Sequence, residues 1–253
     1  MNAKTIIKGA MGICGSSILK GIRFGPKEFL TSSIGAHLSV MMGGVKGIPD
    51  RSLSAILETR RVDVTIPAAL SERGALSPAE LVALLGILVA NNPPVILEIG
   101  TFMGATTKAM AQNIPGAFIH TVDLPLDYSR ATGGTALKSD PDDLTVRKRQ
   151  PGREFIGTPF ASRIKQHFCD TAKWDFSEAR DATAFFIDGA HTYEYCKSDS
   201  ERCYDLCKGK GVFLWHDCNY LFPGVVRLVR EWRSMGRDVA RISGTPLAYW
   251  KGV

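Results

Sequence analysis

The stretch VILEIGTFMGATT, residues 95–107, decides how the rest of the chain is read. VILEI (95–99) is a short continuous apolar run, the pattern of a parallel strand covered on both faces. A turn bounded by Gly100 and Gly104 follows, and a helix is expected from about Ala105 to Gln112. Gly100 allows the tight turn at the strand's end, and Gly104 lets backbone approach a ligand. The opening turn of that helix offers unpaired N–H groups and a positive dipole end to an anionic group such as a carboxylate. Thr101 sits in the same loop. The pattern is E-x-G-x-x-x-G, which departs from G-x-G-x-x-G and so disfavours a nicotinamide dinucleotide.

Outward from this stretch, strands and helices alternate. Towards the C-terminus come AFIHTV (117–122), RIKQHFC (163–169) with period-two alternation, AFFI (184–187) and VFLW (212–215). Helices are expected over roughly 192–207 and 225–235. VARI (239–242) and LAYW (247–250), joined by Ser-Gly-Thr-Pro, read as a closing hairpin. Towards the N-terminus, SPAE (77–80) is a capping box with Ser77 as N-cap, Pro78 at the first helical position and Glu80 at N3. Its apolar run reaches Ala90 and is stopped by Asn91-Asn92-Pro93-Pro94. The expected fold is therefore α/β, Rossmann-like and doubly wound, with a mostly parallel sheet and an antiparallel C-terminal hairpin. Residues 77–253 form that domain. Residues 1–76 read as an N-terminal helical extension or cap, with one short helix in 51–61. Residues 124–162, between the second and third strands, read as a lid-like insert.

Ligands of open α/β sheets gather outside the carboxyl ends of the strands. Asp123 closes the second strand, 23 residues after Gly100, where a carboxylate accepts bonds from ribose hydroxyls. Asp170 closes the third strand, in reach of an adenine edge. Asp188 ends the fourth strand, with His191 three residues on, and His216 and Asp217 end the fifth. Neighbouring parallel strands bring these four groups to one rim. Two carboxylates with imidazole nitrogens suit a divalent cation, and oxygen-rich sets favour magnesium or manganese. His191 can also serve as a base near neutral pH. Plain readings compete: a turn at Asp188-Gly189, a helix-capping His191, a structural His216 and a turn residue at Asp217.

Taken together, VILEIGTFMGATT, TVDLP (121–125), FFIDGAHTYEYCKSD (185–199), GVFLWHDCN (211–219), PGV (223–225) and GTPLAYW (244–250) resemble the class I S-adenosylmethionine-dependent methyltransferases. Within them the nearest likeness is to bacterial small-molecule O-methyltransferases and cephalosporin-hydroxylase-like proteins. The likeness covers roughly 77–250 and leaves 1–70 uncovered. It implies a seven-stranded sheet and S-adenosylmethionine as cofactor. It places Glu98 and Gly100 at the methionine and ribose, Asp123 on the ribose and Asp170 near adenine; Thr101, Gly104 and Asp188 complete the expected cofactor-binding set. It implies methyl transfer to a small-molecule acceptor at oxygen. Metal-dependent members carry aspartates at the positions of Asp188 and Asp217, so Asp188, His216 and Asp217 form the expected metal set, with His191 and Asp188 as the catalytic pair. Two departures stand out. Some members have a catalytic Lys where this chain has His191, and many have Asp or Asn where this chain has Cys218. These departures leave two alternatives: a non-catalytic cofactor-binding or interaction protein, and a hydroxylase-like reaction on the same fold.

Composition narrows the partners. The chain has 253 residues, 45% hydrophobic and 22% charged, enough for a large core. Its net charge of +6 is spread along the chain, with one short basic cluster, Arg147-Lys148-Arg149. Anionic substrates are compatible with this; a nucleic-acid groove has no support. Six cysteines without CxxC spacing read as reduced thiols in a cytoplasmic protein. Cys196, Cys203 and Cys207 share a helix face and are expected in the core, as are Trp174, Trp215 and Trp250 as core or pocket wall. Lys4, Lys8, Lys20 and Arg23 give the N-terminus a loose likeness to a signal peptide. Its apolar stretches are short and broken by charge. No run reaches the ~18 apolar residues of a spanning helix, so stable membrane insertion is not expected. Homo-oligomerisation stays open.

Overall fold

In the computed structural model, residues 44–67, 75–125, 135–137 and 150–252 are described. The N-terminal basic segment, the basic cluster at 147–149 and most of the 124–162 insert lie outside the described residues.

The continuous apolar runs VILEI, AFFI and VFLW become strands buried on both faces. The strands are β1 (Asp50–Arg51), β2 (Val95–Ile99), β3 (Phe118–Asp123), β4 (Ile164–Phe168), β5 (Ala184–Ile187), β6 (Val212–Trp215), β7 (Ala240–Ile242) and β8 (Ala248–Lys251). They form one sheet in the order β1-β7-β8-β6-β5-β2-β3-β4. All neighbours run parallel except β8, which is antiparallel to both β6 and β7. The helices are α1 (Leu53–Ile56), α2 (Pro78–Asn91), α3 (Ala105–Asn113), α4 (Tyr193–Leu206) and α5 (Pro223–Ser234).

Alternate strand positions feed two cores. Ile96, Phe186 and Leu214 pack with α2 and α3. Leu97, Phe185, Phe213 and Trp215 pack with α4 and α5. Each fully buried Phe or Leu is worth about 1.5–3 kcal/mol over leaving it exposed, so both faces of the sheet need their helical layer. Trp174, Trp215 and Trp250 all belong to the second core. Cys196 and Cys203 are buried there, and burial drives the Cys203 thiol well above its ordinary pKa. Among the described residues, no helix is long and apolar enough to cross a membrane.

The sheet has eight strands among the described residues where seven were expected. The extra one, β1, is two polar residues long and carries no apolar signal. It covers the edge that β7 presents. Arg241 N donates to Pro49 O (2.8 Å) and Ser243 N to Arg51 O (2.9 Å), and Arg241 Nη1 lies 3.4 Å from Asp50 Oδ1. Part of the region read as an extension is thus woven into the sheet. The helix expected in 51–61 is the single turn α1, capped by Ser52, and the chain leaves it through Glu58 and Thr59 in the left-handed region.

The candidate active site

Strand register builds the rim. Ile99 pairs with Val122 on one side and Ile187 on the other, Ile187 pairs with Trp215, and Asp123 pairs with Phe168. The residues that follow those ends therefore arrive level. Backbone bonds extend the ladder one step further: Gly100 N to Val122 O (2.9 Å), Asp188 N to Ile99 O (2.8 Å), His216 N to Ile187 O (3.1 Å) and Cys169 N to Asp123 O (2.8 Å). Above them opens a cavity of 420 Å³ whose wall includes Gly100, Asp123, Asp170, Asp188, His216 and Phe222. Small-molecule sites commonly measure ~300–1,000 Å³.

On the β3–β4 side the carboxylates are held by the backbone. Asp123 accepts from Phe102 N through Oδ2 (2.7 Å) and from Leu124 N through Oδ1 (2.7 Å). To present its N–H, Phe102 adopts φ 47°, the left-handed region that non-glycine residues seldom enter. Asp170 accepts from Ala136 N (2.7 Å), Ala172 N (3.0 Å) and the Tyr195 hydroxyl (2.7 Å). Tyr195 also lines the cavity.

Three expected cofactor residues do not reach the cavity wall. Glu98 is fully buried beneath the rim, its Oε2 accepting from Thr107 (2.5 Å) and Thr121 (2.6 Å). Burial pushes its carboxyl up to about 8. Thr101 shares a 2.6 Å hydroxyl contact with Thr121 in the same buried group. Gly104 is left-handed (φ +84°), and a Cβ there would stand 2.6 Å from the Phe155 ring and 2.9 Å from Gly152 Cα. The space expected for a ligand is filled by the returning end of the insert, which is bonded to the loop through Gly152 N to Phe102 O and Glu154 N to Met103 O, both 2.9 Å. Gly100 does line the cavity, and its missing side chain also matters for packing: a Cβ would lie 2.1 Å from the Asp188 carbonyl oxygen.

On the β5–β6 side the four expected groups converge. His216 Nδ1 lies 2.9 Å from Asp188 Oδ1 and 3.3 Å from Asp217 Oδ2, and His191 Nε2 lies 3.1 Å from Asp217 Oδ2. One ligand atom from each of Asp188, His191, His216 and Asp217 falls within 4.8 Å of the others. Asp217 reaches this position with φ 57°, a strained conformation of the kind that persists where surroundings enforce it. Burial alone would raise the Asp188 and Asp217 carboxyls; the facing imidazoles outweigh it and hold both below the ordinary range. The same pairing overcomes the burial penalty on His216 and holds its pKa well above the usual imidazole value. The His191 ring packs against Phe222, centroids 4.4 Å apart. Cys218 points away into the core, where burial pushes its thiol up to about 12.

Residues 97–218, which span the whole rim from β2 to the β6 tip, match a family model described as a methyltransferase domain. The likeness is to the class I S-adenosylmethionine-dependent methyltransferases. Solved structures share the methyltransferase fold. One, from Staphylococcus aureus and provisionally described as a caffeoyl-CoA O-methyltransferase, is 16% identical with a TM-score of 0.52, covering 88% of this chain and all of that one. The SAH-bound methyltransferase PaMTH1 of Podospora anserina is 14% identical with a TM-score of 0.50, covering 71% of this chain and 80% of that one. At these identities the likeness bears on fold. No curated protein matches the chain in sequence.

Two residues of the candidate site escaped the sequence reading. Tyr195 has no role in the reading of the sequence above, yet its hydroxyl donates to Asp170. Glu80 was read only as a capping residue, yet its Oε1 lies 3.0 Å from His216 Nε2 and it lines the cavity. The first had a local signal, a Tyr seven residues beyond Asp188 on the face shared with Asp199. The second had none, because 136 positions separate Glu80 from His216.

Proposed function

We propose that this methyltransferase binds S-adenosylmethionine along the β2–β3–β4 tips and methylates an oxygen of a small-molecule acceptor seated over the β5–β6 tips, beside a magnesium or manganese ion. The observation that carries the reading is the carboxylate–imidazole cluster opening on the same cavity as Asp123. The residues fit both groups. The cavity has the volume of a small-molecule site, with Asp123 where a ribose carboxylate belongs. The donor atoms of Asp188, His216 and Asp217 belong to a group lying within 4.8 Å; opposite ligands of a magnesium ion stand roughly 4.2 Å apart, so these side chains would close slightly to hold the ion.

When bound, the cofactor supplies an electrophilic methyl group whose C–S bond breaks as the O–C bond forms, and the ion lowers the pKa of the acceptor hydroxyl. The chain supplies the rest. Asp123 and Asp170, fixed by backbone N–H groups, orient the adenosyl end. Asp188, His216 and Asp217 hold the ion. His191, steadied by Asp217 at 3.1 Å and by the Phe222 ring, takes the acceptor's proton. Alignment of nucleophile and methyl is the main contribution a protein can make to such a displacement.

A second reading has one observation in its favour. His216 stands against three carboxylates, Asp188, Asp217 and Glu80, which hold its pKa well above the ordinary imidazole value; a protonated ring there would balance the carboxylates in place of a metal. Calorimetry with S-adenosylmethionine, with and without magnesium, combined with methylation assays in chelator, separates the two. Cofactor binding with chelator-sensitive methylation supports the metal reading. Full turnover in chelator supports the second, and binding with no product from a broad acceptor panel would point to a non-catalytic protein.

A further inference from the structure

Glu80 lies in α2, ahead of the segment that matches the methyltransferase family model. An N3 glutamate in a capping box needs one carboxylate oxygen, and Glu80 Oε2 serves there, accepting from Ser77 N at 2.5 Å. The other oxygen is turned inward. Glu80 is only 9% exposed, and Oε1 lies 3.0 Å from His216 Nε2. The opposite nitrogen of that ring, Nδ1, is the one that faces Asp188 at 2.9 Å and Asp217 at 3.3 Å. The imidazole is therefore gripped on one side by a helix-anchored carboxylate and presented on the other to the aspartate pair.

We infer that Glu80 is a positioning residue for the metal site, accepting the Nε2 proton of His216 so that the Nδ1 lone pair is directed at the ion. This rests on the metal reading above. Histidines that bind metals nearly always donate their second N–H to a carboxylate, carbonyl or water, which fixes the tautomer and ring orientation and raises the ligand's basicity. The capping box explains why the carboxylate can do this: Ser77 N holds Oε2, so Oε1 has little freedom. Because Glu80 belongs to α2 and His216 to the β6 tip, the contact also ties the helix layer to the reacting end of the site.

The test is manganese affinity by calorimetry on the full chain, with the His216 ring nitrogens followed by NMR in the magnesium-loaded protein. Glu80→Ala should weaken manganese binding ~10- to 100-fold, the usual loss for such a partner, and should disturb the Nε2–H tautomer. Glu80→Gln, whose carbonyl can still accept from Nε2, should keep the tautomer and fall between the two. Ser77→Ala removes the cap hydroxyl and leaves the Glu80–His216 contact, so it should lower the melting temperature without moving manganese affinity. If Glu80→Ala binds manganese like the wild type with His216 unchanged, Glu80 is a cap and nothing more. Equal weakening in Ser77→Ala and Glu80→Ala would also overturn the inference, since the effect would then belong to the helix. A wild-type protein that binds no manganese would instead bring down the metal reading itself. If Glu80→Ala fails to fold, Glu80→Gln decides: loss of the tautomer in that variant contradicts the proposal.

Discussion

The two halves of the rim use carboxylates in opposite ways. At the tips of β3 and β4, Asp123 and Asp170 accept from backbone N–H groups and a tyrosine hydroxyl. At the tips of β5 and β6, Asp188 and Asp217 face imidazoles that can gain or lose a proton. The first arrangement makes fixed anchors whose partners keep their protons near neutral pH, burial holding the Tyr195 phenol above its ordinary pKa. The second makes a cluster whose charge can change during a reaction or be exchanged for a metal ion. A binding half and a chemical half can thus be told apart by what surrounds each acid.

If that division is right, substitutions on the two sides should fail differently. The largest effect belongs to the chemical half: His191→Ala should lower kcat ~10²- to 10⁴-fold, the usual contribution of a positioned base, with cofactor affinity preserved in calorimetry. A kcat near wild type would remove His191 as the base. Next comes the binding half. Asp123→Ala should weaken S-adenosylmethionine about 10- to 100-fold, as expected for losing a charged hydrogen-bond acceptor, chiefly in Kd. A change in kcat alone would blur the two halves into one.

Smaller effects test the supports beneath the rim. Gly104→Ala should destabilise the protein by about 1–3 kcal/mol in urea unfolding, because the left-handed backbone is strained and the Phe155 ring must move. A neutral result would mean the insert does not rest on this loop. Glu98 gives a pH signature. Its carboxyl is raised from 4.5 to about 8 by burial, so the folded state holds a proton that the unfolded chain releases. Its contribution to stability is full below pH 4.5 and declines as pH rises towards 8. Relative to the wild type, Glu98→Gln should therefore gain stability progressively across that window. A pH-independent difference would show that Glu98 is ionised in the fold.

Much of this architecture was legible in the residues. VILEI, AFFI and VFLW became strands with the expected bounds, because continuous apolar runs of four or five residues suit positions covered on both faces. The convergence of Asp188, His191, His216 and Asp217 followed from strand adjacency alone. What stayed hidden depended on contacts between distant segments. β1 is a polar dipeptide that pairs only because β7 presents an edge. The room at Gly104 is taken by Phe155, some fifty residues on, so a glycine that reads as a ligand contact is a packing contact. Glu98 follows the same logic: an acid in the strand of the motif points down to Thr107 and Thr121 instead of into the cavity.

A crystal structure of the chain grown with S-adenosylhomocysteine and manganese would test the central claim most directly. The adenosyl ribose should lie on Asp123, and an anomalous manganese peak should sit among Asp188, His216 and Asp217 at the same cavity. Ribose density away from Asp123, or manganese bound elsewhere while the cluster keeps its direct aspartate–histidine contacts, would contradict the division of the rim into a binding half and a chemical half.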